Sequence, residues 1–200
     1  MQRAVPPVNR IFLRFVLSIL LGLSVPALSH AAERAIDKEI TIAASLDDAW
    51  SAWTTRDGIV SFFAPEAVID ARVGGAFHIH INPLGEPGSK GADDMRFLAL
   101  QPKQMISFDW NAPPHLPEAR AQRTFVIVRF VAVDDKTTKV TLHHTGWGNG
   151  GEWDKTFTYF ERAWGSVLGN LKKRFETGPM DWTPWLAQLK KRRDDAAAKK

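Results

Sequence analysis

Apolar side chains from Trp153 to Phe175 recur at steps of 4, 3, 4, 3, 1, 3 and 4, passing through Phe157, Phe160, Trp164, Val167, Leu168 and Leu171. That is one face of a 3.6-residue period and predicts a long amphipathic helix. Glu152 and Asp154 stand in its first turn, and Lys172, Lys173 and Arg174 in its last. Both placements suit the helix dipole, and Gly178-Pro179 predicts the end. At ~1.5 Å per residue such a rod is roughly 35 Å long. Four aromatics in its first three turns require a wide apolar partner, most simply a curved sheet.

Upstream the period changes. Asp37–Ala43 alternates and predicts a first strand, and Ser45 reads as the N-cap of a helix over Leu46–Thr55, with Asp48 three residues on. Leu46, Ala49, Trp50 and Trp53 share its apolar face, Gly58 breaks it, and Ile59–Phe63 predicts a short second turn. Strands are expected at Val68–Arg72, Ala76–Asn82, Met95–Leu100, Gln104–Trp110, Arg123–Val133 and Lys139–Thr145. Gly74-Gly75 marks a bend, and Pro83–Gly91 a hairpin loop. Asn111–Ala121, with three prolines, is the longest connector and a candidate lid. Past the long helix, Trp182, Trp185, Leu186 and Leu189 follow a Thr183-Pro184 helix start and precede a basic run. This tail, residues 179–200, either docks on the domain or makes a peripheral membrane contact. The order predicts an α+β fold: one antiparallel sheet wrapped around a helix, with no repeat and no second globular domain.

Residues 1–31 read as an export signal. Arg3, Arg10 and Arg14 precede the apolar run Phe15–Leu28, and Ser29-His30-Ala31 supplies small residues at a cleavage position. Fourteen apolar residues fall short of the ~20 a membrane span needs, although an N-terminal anchor is the alternative reading. Cleavage near Ala31 would leave residues 32–178 as the domain and remove three cations, taking the formal charge from +4 to +1. The expected location is therefore periplasmic or secreted, and the basic balance is no argument for nucleic acid. The chain has no cysteine, which excludes disulfides, a thiol nucleophile and thiolate metal sites.

Candidate chemistry is sparse. His78 and His80 share one strand face opposite Phe77 and read as solvent-exposed imidazoles, their spacing being weak support for a metal. Val140, Leu142 and His144 share the inward face of their strand. His144 is thus the best polar group for the mouth of a cavity, to orient a ligand or move a proton, against the alternative of a structural imidazole. Asp109 and Arg129 fall on the outer face, where a cross-strand pair is conceivable. Gly146–Gly151 (GWGNGG) lacks the Lys-Ser/Thr of a phosphate loop and opens a helix carrying two acids, so it reads as a flexible pocket rim. There is no G-x-S-x-G and no zinc signature.

Several segments in register resemble one family. They are Trp50-Ser-Ala-Trp53-Thr54, Phe62-Phe63-Ala-Pro65, Ile69 to Phe77 (IDARVGGAF), Lys139 to Trp147 (KVTLHHTGW) and the helix from Trp153 through Trp164 to Leu171. Over Ile36–Phe175 the chain is similar to the SRPBCC (START-like) superfamily, and within it to the activator of heat-shock-protein-90 ATPase homologue branch. The resemblance implies a helix-grip fold with an apolar cavity between the long helix and the sheet. It also implies a hydrophobic small molecule or lipid as ligand; no cofactor and no metal are expected. The expected lining is Trp50, Phe62, Phe77, Trp110, His144, Trp147, Trp153, Phe157, Phe160 and Trp164. Two alternatives stay open: a cyclase- or hydrolase-type enzyme using His144 as acid/base, and a protein-interaction module. A cytosolic chaperone is not an expected partner, because the two-domain activators use a separate N-terminal domain that this chain does not carry.

Overall fold

The computed structural model describes Gln2 and residues 33–199, so the expected export signal, apart from Gln2, lies outside the described residues. Strand β1 (Ile36–Ile42) leads into helix α1 (Leu46–Thr54) and the short α2 (Arg56–Val60). Strands β2 (Glu66–Ile69), β3 (Phe77–His80), β4 (Gly91–Ala92), β5 (Phe97–Gln101) and β6 (Met105–Trp110) follow. A short helix α3 (Pro117–Arg120) precedes β7 (Thr124–Asp134) and β8 (Thr137–Thr145). The chain then forms the long helix α4 (Gly151–Thr177) and a last helix α5 (Thr183–Ala197).

Alternation decides which faces are buried. Val126, Val128 and Phe130 on β7 point to the same side as Val140, Leu142 and His144 on β8 and Ile106, Phe108 and Trp110 on β6, and all are buried. Five strands pair antiparallel in the order β1-β8-β7-β6-β5. The expected single sheet is in fact two, because β2-β3-β4 form a separate antiparallel sheet. The two are stitched by the Ala76–Arg96 bridge and by Phe77 N to Met95 O at 2.8 Å. Gly74, at φ 76°, makes the bend between β2 and β3.

Helix α4 lies across the concave face beside β1. Phe160, Trp164, Leu168 and Leu171, one to each successive turn, are buried against the sheet. At roughly 1.5–3 kcal/mol for each large side chain, this stripe alone contributes on the order of 6–12 kcal/mol to holding the helix on the sheet. Gly178, at φ 98°, ends α4 where its N–H reaches Arg174 O. Ser45 caps α1 by accepting from Asp48 N at 3.1 Å, and α1 with α2 closes one end of the core through Trp53 against Phe62 and Phe63.

The tail docks rather than trails. Met180 N donates to Ser61 O, and α5 continues to Ala197, well into the basic run. No helix among the described residues is long and apolar enough to cross a membrane.

Candidate functional site

The space between α4 and the sheet is filled by rings. Phe77 stacks on Phe108 at 4.1 Å between centroids, Trp110 tilts on Trp164 at 5.4 Å, and Phe160 stacks on Trp164 at 6.1 Å. Phe62 packs on Trp53, and Phe63 meets Trp164 edge-on at 5.8 Å. These are the separations of a packed aromatic core rather than of a cavity wall. The expected hollow beneath α4 is therefore corrected: Phe62, Phe77 and Trp164 fill it. Rings of this size, brought together from α1, the turn after α2, β3, β6 and α4, pack into the volume the curvature encloses.

His144 sits inside this core, fully buried, and not at a mouth. Its Nδ1 accepts the Trp164 indole N–H at 2.8 Å, which puts the ring proton on Nε2. Nε2 donates to Thr124 Oγ1 at 2.7 Å, and Thr124 in turn donates to Trp110 O at 3.3 Å. Burial, with a smaller push from the nearby His143, drives this imidazole down to about 3. Neutral, enclosed and engaged at both nitrogens, it is a structural link between β7, β8 and α4.

The remaining expected lining residues scatter. Trp50 packs edge-on to Phe130, and Trp147 lies on His144 at 4.1 Å and on Phe157 at 5.2 Å. Trp153 leaves the main core and joins Ala112, Leu116 and Ala119 in a small separate cluster. Of the expected lining, Trp110 and Phe160 also contribute to the walls of the smaller cleft described next.

The open volume lies along the adjacent flank of α4. A cleft of about 1050 Å³ runs between a second stripe of that helix (Tyr159, Ala163, Val167) and α5, with Phe63, Pro65 and Ile81 as its floor. Trp182 and Trp185 roof it. Each indole is fixed at its polar edge, Trp182 Nε1 donating to Val60 O at 2.6 Å and Trp185 Nε1 to Ile81 O at 2.7 Å. Leu189 is the one residue of α5 that is fully buried, so the helix bridges its neighbours and leaves space beneath. A second cleft of about 390 Å³ adjoins the first and shares Ile81, Tyr159 and Trp185 with it. Trp110, Asn111, Lys90 and Arg192 complete its walls.

Arg120 braces Gly91 and Ala112, two residues in the wall of that smaller cleft, and nothing in the sequence pattern marks it. Its guanidinium donates to Gly88 O at 2.7 Å, to Gly91 O at 2.8 Å and to Ala112 O, and it pairs with Asp93 at 3.3 Å. Burial lowers its pKa without neutralising it. Glu152 accepts from Ala119 N at 3.0 Å, tying the same connector to α4. The proline-rich segment expected as a lid is thus a pinned wall. Gly148 is pinned too, lying so close to Trp153 that a Cβ there would stand 2.2 Å from its Nε1. GWGNGG therefore rims neither cleft.

Two further expectations are corrected. His78 and His80 are not solvent-exposed imidazoles: β2 sets Glu66 directly opposite His80, whose Nδ1 lies 2.6 Å from Glu66 Oε1, and His80 is buried. His78 is half-buried, which lowers its pKa. Asp109 and Arg129 do not pair, because the register puts Met105 opposite Arg129 and Phe125 opposite Asp109. Asp109 accepts instead from Arg96 N and pairs with Arg123 at 3.5 Å. Among the described residues no three His, Asp or Glu side chains converge as a metal set.

Comparison with known proteins bears on this geometry. A family model described as Activator of Hsp90 ATPase homolog 1-like protein matches residues 43–176. The protein MLL2253 from Mesorhizobium loti superposes with a TM-score of 0.58 at 18% identity, over 74% of this chain and 100% of its own. Aha1 from Colwellia psychrerythraea, solved as a dimer, gives 0.55 at 22% identity, over 72% of this chain and 98% of its own. PFC0360w, described as an HSP90 activator from Plasmodium falciparum, gives 0.53 at 16% identity, over 73% of this chain and 97% of its own. Identities this low carry the fold and nothing finer. A search of curated proteins finds no match.

Proposed function

The chain belongs to the Activator of Hsp90 ATPase homolog 1-like family, and we propose that within it the protein is an exported binder of a hydrophobic small molecule or lipid. The ligand occupies the cleft between α4 and α5. The observation that carries this reading is the cleft of about 1050 Å³, walled by apolar side chains and roofed by two indoles held at their polar edges. Concave, mostly apolar volumes of this order are what small-molecule sites use. Export rests on the signal-like residues 1–31 and, if it operates, separates the protein from a cytosolic chaperone. The activity described for the Plasmodium neighbour is accordingly not part of the proposal.

The test is titration of the full chain with the neutral fluorophore N-phenyl-1-naphthylamine, read by energy transfer from the wall tryptophans. Saturable one-site binding is expected, with loss in Ala163→Trp, whose indole fills the cleft. No saturable signal, or binding indifferent to that substitution, refutes the assignment. Export is checked by the N-terminus of the protein recovered from its native host: a start near Ala32 is expected, and an intact Met1 in the membrane fraction contradicts it.

A further inference from the structure

The walls of the two adjoining clefts are unequal in charge, and the inequality selects a ligand. Lys90 and Arg192 line the smaller cleft, and no carboxylate lines it among the described residues. Neither cation takes part in an ion pair there; Arg192 instead lies over the Trp185 ring, 5.7 Å from its centroid, at the junction of the two clefts. Lys155 and Arg162 stand on the rim of the larger cleft, also without ion pairs among the described residues. Its one acid, Asp154, is already matched by Arg34 at 2.6 Å. Four cations thus surround the joined volume with no free counter-charge on its walls.

Trp110, a wall of the same cleft, has an indole N–H with no hydrogen-bond partner, but that atom is itself enclosed. The polar demand on a ligand therefore comes from the cations at the mouth, which call for an anionic oxygen.

Resting on the small-molecule reading above, we infer that the ligand is a free anionic amphiphile. Its acidic head lies in the smaller cleft between Lys90 and Arg192, and its apolar body passes Tyr159 and Trp185 into the larger cleft. A membrane surface is the less favoured source of the same chemistry. The tail tryptophans that would insert into lipid are turned inward and tied to Val60 and Ile81.

The experiment is displacement of bound N-phenyl-1-naphthylamine from the full chain by dodecanoate, kept below its micelle threshold, against dodecan-1-ol. Dodecan-1-ol is the more apolar of the two, so burial alone ranks it first. Dodecanoate is expected to displace the probe about tenfold more effectively at low salt, an advantage that shrinks at high salt. Lys90→Gln with Arg192→Gln removes the advantage while leaving dodecan-1-ol unchanged. Both side chains lie outside the core, and circular dichroism checks the fold of the variant. Equal displacement by the two compounds, or a dodecanoate preference that survives the double substitution, overturns the inference while leaving the cleft a binding site. Failure of the probe and both compounds to bind overturns the small-molecule reading itself. Sedimentation with phosphatidylglycerol vesicles, coupled with indifference to dodecanoate, assigns the cations to a surface contact and also overturns the inference.

Discussion

Acid should unfold this protein through one imidazole. In the native core His144 is neutral, with its titration driven to about 3 from the ordinary 6.5. In the unfolded chain it titrates near ~6.5. A depressed histidine contributes stability that is fully present above the unfolded value and is lost as pH falls below it, because the unfolded state then binds the extra proton. The loss approaches about 1.4 kcal/mol per pH unit and accumulates to about 2.7 kcal/mol by pH ~4.5. That is a large fraction of the roughly 5–15 kcal/mol that holds a typical domain together. Other groups titrate over the same range, including His78, whose burial acts with the same sign. His144→Gln isolates the term: the variant keeps a donor and an acceptor for Thr124 and Trp164 but has no proton to gain. Urea unfolding followed by tryptophan fluorescence at pH ~7.5 and ~4.5 gives the stability of each protein. The native chain is expected to be the more stable at the higher pH, and its lead over the variant to shrink by about 2–3 kcal/mol at the lower. A lead that stays constant between the two values refutes the closed neutral imidazole and reopens a solvent path to His144.

Two further outcomes follow from the packing. Arg120→Met strips three backbone carbonyls of their donor and leaves Asp93 unpaired, so it should cost roughly 2–4 kcal/mol in the same urea measurement and speed proteolysis within residues 88–93 and 111–121. A stability within ~0.5 kcal/mol of the native chain contradicts the clamp. Gly148→Ala places a methyl against Trp153 and should cost about 1–3 kcal/mol, with a shift in the near-ultraviolet circular dichroism of the indoles; an unchanged spectrum contradicts the close approach.

What a one-dimensional pattern can reveal depends on how local its cause is. The α4 stripe is legible because Phe160, Trp164, Leu168 and Leu171 are brought to one face by helix geometry alone. The same holds for the inward direction of His144, set by strand alternation from Val140 and Leu142. The family resemblance extends this to the whole architecture, which the curved five-stranded sheet and long helix bear out. The partners of His80 and Asp109 were not legible, since each depends on a register fixed by a strand many residues away. Arg120 was invisible for a related reason: its acceptors come from two loops that only tertiary packing brings together. A residue type announces itself in a sequence when its neighbours along the chain create its environment, and not otherwise.

The filled interior and the cleft outside it have a common origin in α4. A helix with aromatic side chains on one stripe packs its own rings into the concave space of the sheet. Its adjacent stripe of Tyr159, Ala163 and Val167 then faces away from the sheet and needs a cover of its own. Helix α5 is that cover: it follows the turn at Gly178-Pro179 and reaches the rest of the domain through Trp182 just before its first turn, Trp185 and the buried Leu189. Both indoles spend their N–H groups on backbone carbonyls that the bend at Val60 and the end of β3 would otherwise leave to solvent. The roof is therefore held by hydrogen bonds at its edges while its ring faces remain apolar over open volume. The two tryptophans, fixed at their rims, thereby anchor the start of α5 along the edge of the cleft.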